Sequence, residues 1–391
     1  MARLPPLLEG GMSLYSARPR VRLRFSLLPA LALLVFLSLL VLPRDSRPQL
    51  RQWSPPRDAG AVPSNDDVIP NYVHFVYVLP KPESNFSFQF SHFLSIYAAW
   101  HYWKPDAIFL HTNAAADSDA VTRARSGLVG KWNRLIFTLF DLRINTVPLP
   151  VKAGNGKDLE NMEHKSDFVR VKAVHDFGGI YIDWDVHPLR DIAPLRLSGF
   201  KAVAGRQLYG QLNSGTFLSA RGGKLISLWM ERMHQVYDGR WTTHSNEAMT
   251  DIGQRLIREP WEMLILDREA FAPGSWEERD NEMLFSAHNE TKSNLDGLVQ
   301  SDRLPVYEEG FADRWEHPER FEQWERDWSA TYLLHAFSPV RFNRTVPGFE
   351  NISPRYVLER QSNFARAVYP VAKEMYDRGL ISIDDSHLGT E

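Results

Sequence analysis

The chain has 391 residues, 43% of them hydrophobic and 12% aromatic, enough to bury one substantial core without requiring two domains. Its formal charge of -3, with no Lys/Arg stripe interleaved with aromatics, argues against a nucleic-acid binder. Cysteine is absent, which excludes disulfides, zinc thiolate sites and thiol nucleophiles.

Residues 25–42 form an apolar run interrupted only by Ser26, Pro29 and Ser38, preceded by Arg18, Arg20, Arg22 and Arg24. At about 1.5 Å per residue a helix of this length covers roughly 27 Å, the short end of the membrane-spanning range. A cleaved signal peptide is the competing reading, but its apolar region is typically about 7–15 residues, and no small-x-small site follows Leu42-Pro43-Arg44. The expected organisation is a cytoplasmic tail over 1–24, a single transmembrane signal anchor over 25–42, an extended Pro/Arg/Ser-rich stem over 43–67 and one folded domain over 68–391. Charges flanking the anchor nearly balance, so orientation rests on the sequons at Asn85, Asn289 and Asn343, which favour a lumenal C-terminal part and are candidate glycosylation sites. A further sequon at Asn351 is followed by Pro354 and is a poor acceptor.

Within the folded part, periodicity predicts a strand over Tyr72–Val78, a helix around Phe90–Tyr102, a strand over Ala107–His111, a helix within Lys131–Phe140 and a strand near Asn145–Val147. Phe168, Val171, Val174 and Phe177 then recur at helical spacing, and Gly178 can end that helix in a left-handed conformation. A buried strand follows, then strands near Ala202–Gly205 and Thr216–Ser219 and helices at Lys224–Tyr237 and Glu247–Ile257. Strands alternating with helices imply an α/β fold with a largely parallel sheet covered on both faces.

The segment Gly178-Gly179-Ile180-Tyr181-Ile182-Asp183-Trp184-Asp185-Val186 is the most informative. Side chains alternate along a strand, so Asp183 and Asp185 share a side while Trp184 faces away. Two carboxylates that close call for a compensating cation, and oxygen ligands suit magnesium or manganese, which also grip substrate phosphates. Asp167 and Arg170 lie about one turn apart on the preceding helix, as a surface salt bridge or as a pair aimed at the hydroxyls of a ligand. Neither a glycine-rich dinucleotide fingerprint nor a P-loop lysine motif is present.

These segments resemble the glycosyltransferases with an Asp-x-Asp sugar-binding region, the group that includes the fungal initiation-specific α-1,6-mannosyltransferases of the Golgi. The resemblance is carried by Ile69-Pro70-Asn71-Tyr72-Val73-His74, the block from Ser166-Asp167 through Arg170 to Asp185, the strand Asn213-Ser214-Gly215-Thr216-Phe217, and His335 in Tyr332-Leu333-Leu334-His335-Ala336-Phe337-Ser338. Tyr77 stands where a Trp is usual, and Pro339 follows Ser338 where a Ser-Trp pair is common at the diphosphate. Between about Trp241 and Ala330 nothing matches.

The resemblance implies a GT-A-like, single Rossmann-like nucleotide-sugar-binding domain, type II in the Golgi membrane, with its catalytic part in the lumen. It implies Asp183 and Asp185 as the catalytic metal site with His335 as third ligand to Mn2+ or Mg2+, and Asp167, Arg170, Gly179, Tyr181 and Asn213 facing the donor. It further implies a retaining transfer of a hexose, mannose from GDP-mannose in the first place and a UDP-hexose otherwise, onto a glycan or glycolipid acceptor. The residues taken alone leave blander readings open: His335 as a core residue, Asn213 as a turn former, and His175 and His187 as structural. Acidic residues such as Glu247 are too many to single out a general base. The competing functions are a non-catalytic lumenal sugar-nucleotide-binding protein of the same fold and an aspartyl-phosphate phosphatase with Asp183 as nucleophile. The latter would need the motif on the first strand, a later Lys and a better second acidic cluster than Asp384-Asp385.

Overall fold

The computed structural model describes residues 69–298, 314 and 316–390. The anchor expected over 25–42 and the stem over 43–67 lie outside the described residues, and among those described no helix is long and apolar enough to cross a membrane.

The strands are β1 (Tyr72–Val76), β2 (Ala107–Thr112), β3 (Leu142–Thr146), β4 (Gly179–Ile182), β5 (Val186–Pro188), β6 (Ala202–Arg206), β7 (Leu212–Ser219), β8 (Leu264–Leu266) and β9 (Leu333–His335). The helices that frame the site are α1 (Phe90–Trp103), α2 (Met162–Phe177), α3 (Lys224–Val236), α4 (Ala248–Leu256) and α5 (Asn363–Asp377). A seven-stranded sheet runs in the order β3-β2-β1-β4-β7-β6-β8. β3, β2, β1 and β4 are parallel, β7 is antiparallel to both its neighbours, and β8 is parallel to β6. The fold is therefore mixed α/β with a parallel-rich sheet, and β7 is the departure from the expected parallel run.

Both faces of the sheet are covered, which is why β4 is buried at every position. Ile180 and Ile182 enter one core with Phe75, Leu110 and residues of α1 and α5, while Tyr181 enters the other with Phe217, Trp229 and residues of α2, α3 and α4. The helix–strand unit expected from the sequence forms as read. The Asn161 side chain accepts from Glu163 N at 2.8 Å to start α2, and Gly178, at φ +69°, ends it with its N–H donated to Val174 O at 2.8 Å. Gly179 follows at φ +116°, where a Cβ would lie 2.5 Å from Tyr72 O, so these two glycines let β4 turn straight out of the helix against β1.

The strand expected at Asn145–Val147 begins earlier, at Leu142, and the helix expected from Glu247 begins at Ala248 after a π-helical turn over Thr243–Glu247. β5 and β9 form a separate antiparallel ribbon pairing Val186 with His335, and neither strand was legible from periodicity because each is three residues long. A buried histidine chain crosses the sheet: Asn145 Nδ2 lies 2.9 Å from His111 Nδ1, His111 Nε2 2.9 Å from His74 Nδ1, and His74 Nε2 2.7 Å from Gly178 O. Asn85, Asn289 and Asn343 are all exposed.

Candidate functional site

β4 ends at Ile182 and the chain turns through Asp183, Trp184 and Asp185 into β5, with Val186 N bonded to Asp183 O at 3.0 Å. Trp184 faces away, its Nε1 donating to Val76 O at 2.8 Å and its ring stacked 4.4 Å from Phe75. The two aspartates are thereby left on the other side. The β5–β9 ribbon carries His335 to them, with Ala336 N donating to Asp185 O at 2.9 Å and His335 Nε2 3.3 Å from Asp185 Oδ1. One ligand atom from each of Asp183, Asp185 and His335 falls within 4.8 Å of the others.

β7 supplies the fourth side. Asp183 N donates to Gly215 O at 2.8 Å, and the α-carbon of Gly215 faces the cluster so closely that a Cβ there would lie 2.6 Å from His335 Cε1 and 2.8 Å from Asp183 Oδ2. Gly215 thus leaves a cradle that any other residue would fill. Two carboxylates and one imidazole around such a cradle fit a hard divalent cation. The amide of Asn213, fixed by Gly215 N donating to Oδ1 at 2.9 Å, reaches His335 Nδ1 with Oδ1 at 3.1 Å and Nδ2 at 2.9 Å. Ligation through Nε2 requires the proton on Nδ1, where Asn213 Oδ1 accepts it, an outer-shell contact common among metal-binding histidines.

Behind the aspartates runs a buried polar chain. His244 Nε2 lies 2.8 Å from Asp167 Oδ2, Asp167 Oδ1 accepts from Arg170 Nη2 at 2.7 Å, and Arg170 Nη1 reaches Ser214 O at 3.0 Å and Asp183 Oδ2 at 3.4 Å. The guanidinium lies 4.8 Å over the Tyr181 ring, and the Tyr181 hydroxyl donates to Asp183 Oδ1. The surface-salt-bridge reading of Asp167 and Arg170 is therefore wrong: both are buried, because α2 packs this face onto the sheet. Burial pushes the Asp183 carboxyl up, against the pull of Arg170 and with the push of Asp185. Asp185 is also subject to burial, but His335 and Arg341 outweigh it and hold its carboxyl below the usual range.

These groups line a cleft of about 1010 Å³, together with Val76 and Tyr77 at the end of β1, Trp241 and Asn246 around the π-helical turn, and Trp276 and Arg341 at the mouth. Asp167, Arg170, Tyr181, Asp183, Asp185, Asn213 and His335 all reach it. Gly179 does not: it stands at the far end of β4 against β1, and its part is close strand packing rather than donor contact. His175 pairs with Asp176 at 3.0 Å on the surface, whereas His187 is buried against Phe364 yet borders the cleft. Glu247 is exposed and bonded to Thr242. Sequence reasoning missed Gly215, His244 and Arg341. Gly215 sat inside the Asn-Ser-Gly match, and Arg341 two residues past the divergent Pro339, so each had a local signal, while His244 had none. The phosphatase alternative loses its footing, since the cation beside Asp183 is Arg170 and, among the described residues, no lysine lines the cleft.

The cleft thus sets two carboxylates and an imidazole, a donor set suited to a hard divalent cation, at the end of a strand in a parallel-rich sheet, the edge at which open α/β sheets bind their ligands. Residues 129–200, which carry α2, β4 and the acidic pair, match the family described as glycosyltransferase sugar-binding region containing DXD motif. Of the four segments that carry the resemblance, that stretch holds the block from Ser166 to Asp185; Ile69–His74, Asn213–Phe217 and the segment around His335 lie outside it. Glucan organizing enzyme 1 of Cryptococcus neoformans var. grubii is 26% identical over 220 residues, which are 54% of this chain and 55% of that protein, so the chain spans about half the length of that relative. Among solved structures, the apo glycosyltransferase GlyE of Streptococcus pneumoniae TIGR4 aligns with TM-score 0.38 at 9% identity over 80% of this chain and 64% of its own. The galactosyltransferase LgtC, in complex with donor and acceptor sugar analogs, aligns with TM-score 0.35 at 12% identity over 79% of this chain and 100% of its own.

Proposed function

We propose that this chain is a divalent-metal-dependent glycosyltransferase that takes a hexose from a nucleoside-diphosphate donor. The observation that carries the reading is the convergence of Asp183, Asp185 and His335 on the cradle left by Gly215, the two aspartates lying within the segment matched as a sugar-binding region. Asp183, Asp185 and His335 would hold the cation, Mn2+ or Mg2+, which when bound supplies a Lewis acid for the negative charge that develops on a departing diphosphate. Arg170 and Tyr181 fix Asp183 from behind, Asn213 orients His335, and the cleft wall of Asp167, Arg170 and Asn246 offers polar contacts for sugar hydroxyls. A chain of protein-anchored dipoles and charges of this kind needs no rearrangement as charge develops.

GDP-mannose as donor, retention at the anomeric carbon, and a glycan or glycolipid acceptor are the finer assignments, supported by the resemblance to the Golgi mannosyltransferases. A GT-A-like domain over 68–391, a lumenal orientation and a Golgi membrane anchor over 25–42 belong to the same reading, and the exposed sequons at Asn85, Asn289 and Asn343 are consistent with a lumenal domain. The test is nucleotide release from a panel of GDP- and UDP-sugars with Mn2+. Release from one donor, lost on chelation, supports the proposal and names the sugar. Binding of a nucleotide sugar without release, in the presence of varied glycan acceptors, would favour a non-catalytic binding protein.

A further inference from the structure

Two arginines meet the acidic pair, and they are held very differently. Arg170 is buried and bonded to Asp167 and Ser214 as well as to Asp183, so it cannot leave without stranding charge in the core. Arg341 lies in the short turn Pro339–Phe342, separated from the end of β9 by Ala336, Phe337 and Ser338, its side chain 46% exposed. Its Nη1 is 3.8 Å from Asp185 Oδ2, beyond hydrogen-bond range, and its guanidinium lies 5.7 Å over the exposed ring of Trp241 across the cleft mouth. Among the described residues no hydrogen bond ties that guanidinium to the protein.

We propose that Arg341 is a displaceable counterion of Asp185 that becomes a ligand of the donor's diphosphate once a cation occupies the site, an inference that rests on the transferase reading above. A dication held by Asp183, Asp185 and His335 neutralises the charge that Arg341 faces and repels the guanidinium. A diphosphate restores negative charge at the same place, and the planar fork of an arginine matches phosphate oxygens in a bidentate manner. Trp241 gives the swung-out guanidinium a face to rest on. Arg341 therefore couples the two occupancies, opposing the free cation and favouring the cation–diphosphate complex.

The experiment uses the full-length chain, R341A and R341K, titrated first with Mn2+ alone and then with inorganic pyrophosphate at saturating Mn2+, by calorimetry. R341A is expected to bind Mn2+ alone severalfold more tightly and to bind pyrophosphate about tenfold or more weakly, the loss expected of a charge-assisted contact. R341K should keep the charge, and with it part of the pyrophosphate affinity, without the bidentate fork. Unchanged pyrophosphate affinity in R341A would overturn the inference, as would weakened binding of Mn2+ alone with an unchanged melting temperature. A wild-type chain that binds neither Mn2+ nor pyrophosphate contradicts the transferase reading itself, and the inference with it.

Discussion

Gly215 faces His335 across a gap with no room for a methyl group: a Cβ on Gly215 would stand 2.6 Å from His335 Cε1 and 2.8 Å from Asp183 Oδ2. Gly215 lies in β7, a strand buried along its length, and its φ is not left-handed, so alanine is tolerated by the backbone and refused only by the site. Gly215→Ala is therefore expected to keep the fold, with a melting temperature near wild type, while Mn2+ binding falls at least tenfold, the scale of damage typical for disturbed metal surroundings. Calorimetric Mn2+ titration beside thermal denaturation checks it; wild-type affinity in the variant would mean that no cation sits in this cradle.

Asn213 acts on the same cation through His335. Replacing it with alanine removes the acceptor at Nδ1 and leaves His335 free to place its proton on either nitrogen. Mn2+ affinity should fall by about 10- to 100-fold. Were Asn213 only a donor-sugar contact, Mn2+ binding alone would not change.

The buried chain from His244 to Asp183 gives Asp167 a structural task in addition to any contact with sugar. Asp167→Ala strands Arg170 with less counter-charge and leaves His244 Nε2 unpaired. Breaking a buried pair this way costs about 3–5 kcal/mol. Urea denaturation of the variant should show that loss. A wild-type midpoint would restrict Asp167 to the ligand.

Stability should depend on pH through the histidine chain between β1 and β2. Burial holds His74 at about 4, against its bond to Gly178 O, and burial with the nearness of His74 holds His111 at about 3. The unfolded chain titrates these groups near 6.5, so below that pH it takes up protons that the folded chain refuses. Stability is present above about pH 6.5 and is lost as pH falls toward 4, at on the order of 1.4 kcal/mol per pH unit for each histidine. Urea midpoints at pH 7 and pH 5 measure the slope, to which His92 and His187, also lowered by burial, add. His111→Gln should reduce it; an unchanged slope would assign the pH dependence elsewhere.

The helix, the paired glycines, β4 and the acidic pair were legible because each is specified by neighbours in sequence: the apolar spacing of α2, the turn at Gly178 and the alternation across Trp184. The place of His335 beside the two aspartates was legible only through resemblance, since the ribbon that delivers it pairs three-residue strands from distant parts of the chain. Arg170 and Asp167 were read with the right spacing but an open environment, because one sequence does not say which face of α2 meets the sheet. Gly179 was assigned to the donor from its place in the motif, whereas its α-carbon is claimed by Tyr72. Trp241 and Asn246 come from a stretch with no recognisable pattern, and it takes the π-helical turn to bring them to the cleft wall.

The most direct test of the central claim is the stoichiometry of Mn2+ on the wild-type chain and on Asp185→Ala, read by the electron paramagnetic resonance of free Mn2+. One Mn2+ per chain in the wild type, lost in the variant while its melting temperature holds, is the result expected of the Asp183–Asp185–His335 site. Equal Mn2+ binding by the two proteins would contradict it.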